Sequence, residues 1–240
     1  MFVGSAVLLG DYVPEAWVFL VPFLFRDYAH ARAVLDSPIG QDVLARFPAH
    51  GLVGLAWSEQ GFRHLTNSKR PIRTPEDLKG LKLRTPQNPI VIETFRVLGA
   101  EATPMPWSRA LFDALAQHTL DGMELDIDSI WHDETFRWQH YLSVLGQTYV
   151  PGIILMSKAA YGRLSEADRQ AFVEAARLAV QVERKDLDDR EAQSLAQLLS
   201  AGMAINTDVD KAAFRAALAP AYAKWREQFG DLIDRIQGYQ

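Results

Sequence analysis

The chain has 240 residues, of which 48% are hydrophobic and 23% charged, so it has the composition of an ordinary globular protein of one or two domains and not of a disordered or collagenous segment. A net charge of −5, from 25 basic and 30 acidic residues, weighs against a nucleic-acid or anionic-membrane surface as the main partner. The absence of cysteine removes disulfides, zinc thiolates, iron–sulfur clusters and thiol nucleophiles together.

The first 25 residues are mostly apolar and contain no Lys or Arg. Asp11 and Glu15 divide them into two stretches of ten residues, well short of the roughly 18 needed to span a bilayer. No basic residue precedes Arg26, so the segment lacks the charged start of a secretory signal, and direct membrane insertion is not expected. Phe2–Leu9 reads as a buried strand with nothing in front of it, the pattern of a chain lacking a preceding portion.

Two helix patterns follow an apolar run over Trp17–Phe25. One opens at Arg26-Asp27; the next has Ser37 as N-cap and Pro38 at its first position, and Gly51 closes it. Leu52–Trp57 is a continuous apolar run of the kind found in parallel sheets covered on both faces. Thr74-Pro75-Glu76-Asp77 starts a one-turn helix, and Leu81–Arg84 a strand. Ile90–Leu98 is an amphipathic helix ended by Gly99, Ala102–Pro106 is extended, Ser108–His118 is helical, and Leu120–Leu125 returns to strand. This alternation predicts an α/β fold with an open, mostly parallel sheet.

Ser165 caps a helix whose apolar positions Phe172, Ala176, Ala179, Val182 and Leu187 continue toward Leu199 and a stop near Gly202. A helix of that length reaches about 50 Å at 1.5 Å per residue, too long for one small lobe, and reads as a spine running past two.

Motifs for nucleotide, hydrolase and zinc chemistry are missing, no cofactor is indicated, and the six histidines form no helix-spaced pair. The densest ionisable cluster is Asp121, Glu124, Asp126, Asp128, His132, Asp133 and Glu134. It fails as a calcium loop, since Trp131 stands where a glycine is required. Asp128, Asp133 and Glu134 read as solvated acids, whereas Glu124 and Asp126 interleave with apolar Met123, Leu125 and Ile127 and remain candidates for a site.

Five segments then occur in a recognisable order: Pro22–Tyr28 (PFLFRDY), Gly61–Asn67 (GFRHLTN), Leu78–Pro86 (LKGLKLRTP), Gly99-Ala100 with Thr103–Trp107 (TPMPW), and Asp121–Glu124 (DGME). On these the chain resembles the solute-binding proteins of tripartite ATP-independent periplasmic (TRAP) transporters, in the branch named for C4-dicarboxylate binding. The resemblance implies a two-lobed periplasmic-binding-protein-like fold with hinge strands and a long helix spanning both lobes, and a non-enzymatic function. A small organic acid, a uronate, an aldonate or a C4-dicarboxylate-like molecule, is clamped between the lobes and delivered to a TRAP permease. It implies a periplasmic location, and a signal peptide and opening βα portion ahead of the segment that matches Met1. The expected lobes are 1–61 with 151–188, and 62–150 with 189–240.

By the same resemblance Arg84 pairs with the ligand carboxylate, a role suited to the planar, always charged fork of a guanidinium. Arg63 is a second arginine near the acid or, equally, a hinge ion pair. Trp107 offers a flat face to the ligand or anchors the start of a helix. Leu125 stands where many relatives carry asparagine and cannot supply its amide, while Asp126 stands where proline is common and is able to accept from hydroxyls. These departures favour a hydroxylated monocarboxylate over a plain dicarboxylate. Phe62, Trp57, Gln147, Tyr149 and Trp131 are either cleft or core residues. Three rival readings stay open: a cation held by Glu124 and Asp126 with the acid, an enzyme acting on sugar acids through Glu124, Asp126 and His132, and a truncated remnant without function.

Overall fold

Two long strands organise the chain. In the computed structural model, which describes residues 1–240, β2 (Leu52–Asn67) and β6 (Tyr141–Ser157) run antiparallel along most of their length. The other strands are short: β1 (Phe2–Ser5), β3 (Lys82–Thr85), β4 (Glu101–Pro104), β5 (Gly122–Leu125) and β7 (Ala204–Asn206). All seven form one sheet in the order β1-β6-β2-β5-β3-β4, with β7 also on β6. The pairs β3–β4, β3–β5 and β6–β7 are parallel, and those of β1 with β6 and of β2 with β5 and β6 antiparallel.

The sheet is therefore mixed and not mostly parallel as predicted. Leu52–Trp57 is the first part of antiparallel β2, and its uninterrupted apolar character comes from cover on both faces: Leu55 and Ala56 join one buried cluster, Trp57 another. A doubly covered antiparallel strand and a parallel strand share that pattern. At the start of the chain only Phe2–Ser5 is strand, a half-exposed edge, and Ala6–Leu8 turn into a 3-10 helix capped by Ser5.

The helices are α1 (Tyr28–Asp36), α2 (Pro38–Leu44), α3 (Pro89–Val97), α4 (Arg109–Ala116), α5 (Ile127–His132), α6 (Lys158–Gly162), α7 (Glu166–Ser200), α8 (Lys211–Ala217), α9 (Ala219–Phe229) and α10 (Leu232–Gln237). Their boundaries follow local chemistry. Asp27 accepts from the His30 amide at 2.8 Å, Ser37 caps α2 ahead of Pro38, and Ser165 Oγ accepts from the Asp168 amide at 3.1 Å.

The largest core joins α1, α2, α3 and the C-terminal helices to Trp57, Leu65, Tyr149 and Leu155 of the sheet. A second packs Leu111, Leu115, Met123, Leu125 and Ile130 with Leu198 of α7, and a third packs Leu55, Ile154 and Met156 with Ala176 and Val180 of α7. One 35-residue helix thus closes two separate clusters at its two ends. Its buried stripe is Ala176, Val180, Leu187, Ser194 and Leu198; Phe172, Ala179 and Val182, expected in the stripe, are exposed.

Between the two clusters α7 is polar, and its charges meet the middle of the long strands. Arg32 of α1 pairs with Glu59 of β2 and Asp188 of α7, each at 2.6 Å, and Glu59 accepts from the Tyr149 hydroxyl at 2.7 Å. Glu183 of α7 accepts from the Glu59 amide at 3.1 Å. Beside this knot Gly61, at φ +105°, sits at a bulge between Glu59 and the Val150 pairing, and a Cβ there would meet the Tyr28 hydroxyl at 2.8 Å.

Candidate functional site: a cleft at the ends of the parallel strands

The parallel strands β3, β4 and β5 all end on one side. Their C-terminal ends deliver Arg84-Thr85-Pro86-Gln87, Met105-Pro106-Trp107 and Leu125-Asp126, and β2 adds Gln60 and Arg63 alongside. Facing them across a cleft of about 610 Å³ is the segment Ser5–Trp17, which contributes Ser5, Val7, Leu8, Asp11 and Trp17. That volume suits a small molecule, and the carboxyl ends of strands are where open α/β sheets bind their ligands.

Local packing holds both walls. Asn88 caps α3, its side-chain oxygen accepting from the amides of Ile90 and Val91 at 3.0 and 3.2 Å, and this fixes the turn carrying Pro86 and Gln87. On the opposite wall the Trp17 indole donates to the Val7 carbonyl at 3.3 Å and lies against Gly10, where any Cβ would fall inside the ring. Gly10 is thus required by close approach.

Arg84 is 5% exposed and pairs in register with Met123 of β5 and Thr103 of β4. Its Nε donates to the Met105 carbonyl at 2.9 Å, and its Cζ lies 5.6 Å from the centroid of Trp107. It forms no ion pair. Burial pulls its pKa down to about 10, the Glu124 charge opposing the shift and that of Arg63 adding to it. The group stays protonated at neutral pH, a desolvated cation without a carboxylate partner.

Arg63 is the opposite case. Its Nε donates to Glu124 at 3.2 Å and its Nη1 to Asp126 at 2.5 Å, with all three residues buried. Burial alone would lower its pKa; the two carboxylates hold it above the ordinary value. Asp126 also caps α5, accepting from the Ser129 amide at 2.8 Å, so each of its oxygens already has a donor.

Trp107 is 44% exposed at the cleft and is braced edge-on by Phe112 at 5.1 Å. Leu125 adds an apolar lining surface. Phe62 lies outside the cleft, edge-on to Tyr28 and Tyr149. Trp57 donates to the Gly40 carbonyl inside the core, Tyr149 belongs to the knot around Glu59, Trp131 stacks on Phe136, and Gln147 is buried with its backbone carbonyl bound by Phe23. None of these lines the cleft.

The acids sort differently from the sequence reading. Asp133 is exposed, as expected, but stands at the rim of the cleft, where partial burial and the neighbouring Asp126 charge raise its pKa. Asp128, expected in solvent, is instead partly buried: it takes Ser194 and Arg190 of α7, and His132 at 3.1 Å. His132 is exposed and engaged by Asp128, and it contacts neither Glu124 nor Asp126, which are both bound to Arg63, so the acid–base set of the enzyme reading is not assembled. No group of three or more Asp, Glu and His side chains is placed to hold a metal ion, and Arg63 covers the carboxylates of the cation reading. Asp11, Trp17, Gln60, Gln87 and Ser129 line the cleft without any sequence signal that pointed to them.

Strands crossing between lobes, a helix spanning them and a cleft with an unpartnered buried guanidinium define a solute-binding protein of the two-lobed kind. The chain belongs to family 7 of the bacterial extracellular solute-binding proteins, the DctP family, which it matches over residues 1–228. It is 46% identical over 238 residues to a solute-binding protein of Verminephrobacter eiseniae, covering 99% of this chain and 71% of that one. Among solved structures it is similar to a TRAP periplasmic solute-binding protein of Polaromonas sp. JS666 bound to D-erythronate (TM-score 0.96, 44% identity, 99% of this chain and 78% of that one). It is similar too to one of Xanthobacter autotrophicus Py2 with bound β-D-galacturonate (TM-score 0.93, 35% identity, 99% and 80%). The chain is thus a TRAP-type solute-binding protein and not an enzyme, and the two-lobed expectation holds.

Proposed function

We propose that this protein binds a hydroxylated monocarboxylate, an aldonate or uronate, outside the cytoplasm in the periplasm and delivers it to the membrane subunits of a TRAP permease. The observation that carries the ligand class is Arg84: a buried, protonated guanidinium with an aromatic face beside it and no acid of its own. Its remaining N–H groups donate to a carboxylate in bidentate fashion, and Trp107 covers the apolar face of the carbon chain. Leu125 adds a dry wall, and Gln87, Ser129 and Asp133 supply polar partners for hydroxyls.

The lobes proposed to close on the ligand are 1–61 with 151–188, and 62–150 with 189–240, hinged where β2 and β6 bulge. The last helix is tied back to α1, the His30 ring meeting the Ile236 carbonyl at 3.0 Å, so the C-terminal helices brace both lobes. Similarity to proteins bound to D-erythronate and β-D-galacturonate supports the sugar-acid class. A thermal-shift screen against aldonates, uronates, C4-dicarboxylates and keto acids, followed by calorimetry on the hits, tests it. A melting-temperature rise with hydroxylated monocarboxylates is expected, because a ligand of the folded state alone stabilises it. A response confined to unsubstituted dicarboxylates overturns it.

A further inference from the structure

The cleft contains two buried arginines, yet only one is available as a cation. Arg63 is 8% exposed, and the carboxylates on it, Glu124 and Asp126, are 3% and 5% exposed, so neither pair is relieved by solvent. Glu124 also faces Arg84 electrostatically, whereas Asp126 is directed at Arg63. Asp126 cannot swing away: the Ser129 amide at the start of α5 holds its other oxygen at 2.8 Å.

We infer that Asp126 is a specificity-determining residue that restricts the cleft to ligands with a single carboxylate by neutralising Arg63. The inference rests on the proposed function, since it presumes an acid anchored on Arg84. Two arginines balance two buried acids, so the first ligand carboxylate already leaves the group one negative charge in excess. A second would approach a compensated Arg63 and would face Asp133 and Asp11, both on the cleft lining. Asp126 is buried while Asp11 and Asp133 are exposed at the rim, so the repulsion comes mainly from the buried Asp126 charge, the two rim acids adding to it. A neutral hydroxyl at the same place meets no such penalty: it donates to Asp133 or accepts from the Arg63 nitrogen that neither carboxylate holds. Position 126 therefore separates an aldonate or uronate from the diacid made by oxidising its other end.

Matched open-chain pairs test this directly, because each differs only in oxidation of the terminal CH2OH to a second carboxylate: D-erythronate with meso-tartrate, D-galactonate with galactarate, and D-gluconate with D-glucarate. Titration calorimetry on the 240-residue protein is expected to show at least a tenfold preference for the monoacid, about 1.4 kcal/mol, in whichever pair binds. In Asp126→Asn the amide oxygen keeps the helix cap but the charge is gone, and the diacid-to-monoacid ratio of Kd values is expected to fall at least tenfold. Asp126→Ser, which also caps, is expected to do the same. A purely structural role would weaken both members of a pair alike and leave the ratio where it was. Equal affinities in the wild type, or an unchanged ratio in a folded variant, overturn the inference and leave the proposed function standing. Should neither variant melt cooperatively, the wild-type ratio alone decides. Binding of none of the six acids removes the proposed function and the inference with it.

Discussion

The Arg84 guanidinium lies 5.6 Å from the Trp107 ring centroid and has no acidic partner, although Glu124 is bound to Arg63 on the neighbouring strand. The cleft is thereby left with one cation that no carboxylate contacts, and removing it is expected to abolish acid binding. Arg84→Ala is predicted to weaken any carboxylate ligand at least a hundredfold, about 2.7 kcal/mol, by calorimetry. Arg84→Lys keeps the charge and loses the bidentate fork, so its loss is smaller yet clear. Retained affinity in Arg84→Ala would take the carboxylate away from this residue.

The same desolvation makes Arg84 a burden to the empty protein. Its pKa falls to about 10 because burial disfavours the charged form, so the folded state is destabilised wherever the group stays protonated. Arg84→Met is therefore predicted to melt as high as the wild type or higher without ligand, by up to about 2 kcal/mol after the loss of the bond to Met105. The variant binds no acid and gains no ligand stabilisation. A markedly lower melting temperature would show that Arg84 serves the fold instead.

Trp107 is half in solvent and rests on Phe112, so its removal touches the fold little. Trp107→Ala is expected to lower affinity roughly tenfold, as loss of an aromatic face on both the ligand and the Arg84 cation costs on the order of 1–2 kcal/mol. Trp107→Phe recovers part of it. Because Trp17 and Trp107 both line the cleft, ligand is also expected to change the intrinsic fluorescence, with the change reduced in Trp107→Phe.

The pH dependence follows from two groups of opposite sign. Arg84 remains charged below about pH 10, so affinity is expected to be flat from pH 6 to 9 and to fall about tenfold per unit only below the ligand's own carboxyl pKa. Asp133 is raised, so the folded state binds its proton more tightly than the unfolded chain. Its contribution to stability falls as pH rises from the unfolded value through the raised one. Asp133→Asn is accordingly expected to melt slightly above the wild type at pH 7 and to match it at a pH where the Asp133 carboxyl is protonated in both the folded and the unfolded chain.

What was legible beforehand was local. Ser37-Pro38, Thr74-Pro75, Gly99 and Ser165 mark helix ends through their own backbone chemistry, and α7 was readable in position and length. Arg84 and Arg63 came from a resemblance carried by short ordered motifs. The direction of β2 was hidden because strand pairing is a property of two distant segments, and 89 residues separate Leu52 from the start of β6. The stripe of α7 misled for a related reason: its middle faces a polar knot, Ser194 is buried where it donates to Asp128, and Phe172 and Val182 are exposed. The wall from Ser5 to Trp17 and the cleft-side place of Asp133 depend on the lobes meeting, which no periodicity encodes.

That polar knot makes the last prediction. The Glu59 side chain is fully buried, with Arg32 at 2.6 Å on one oxygen and the Tyr149 hydroxyl at 2.7 Å on the other. Arg32 continues to Asp188, so α1, β2, β6 and α7 are joined at the middle of the two long strands. Glu59→Ala removes the shared acceptor and leaves a buried hydroxyl and half of a guanidinium without a partner, a loss of roughly 3 kcal/mol. Glu59→Gln keeps an acceptor for Tyr149 and is expected to cost about half as much. Urea unfolding measures both through a lowered midpoint at unchanged slope. A cost under about 1 kcal/mol in Glu59→Ala would mean that water replaces the carboxylate; a full cost means that the knot is a dry junction that holds α1, β2, β6 and α7 together.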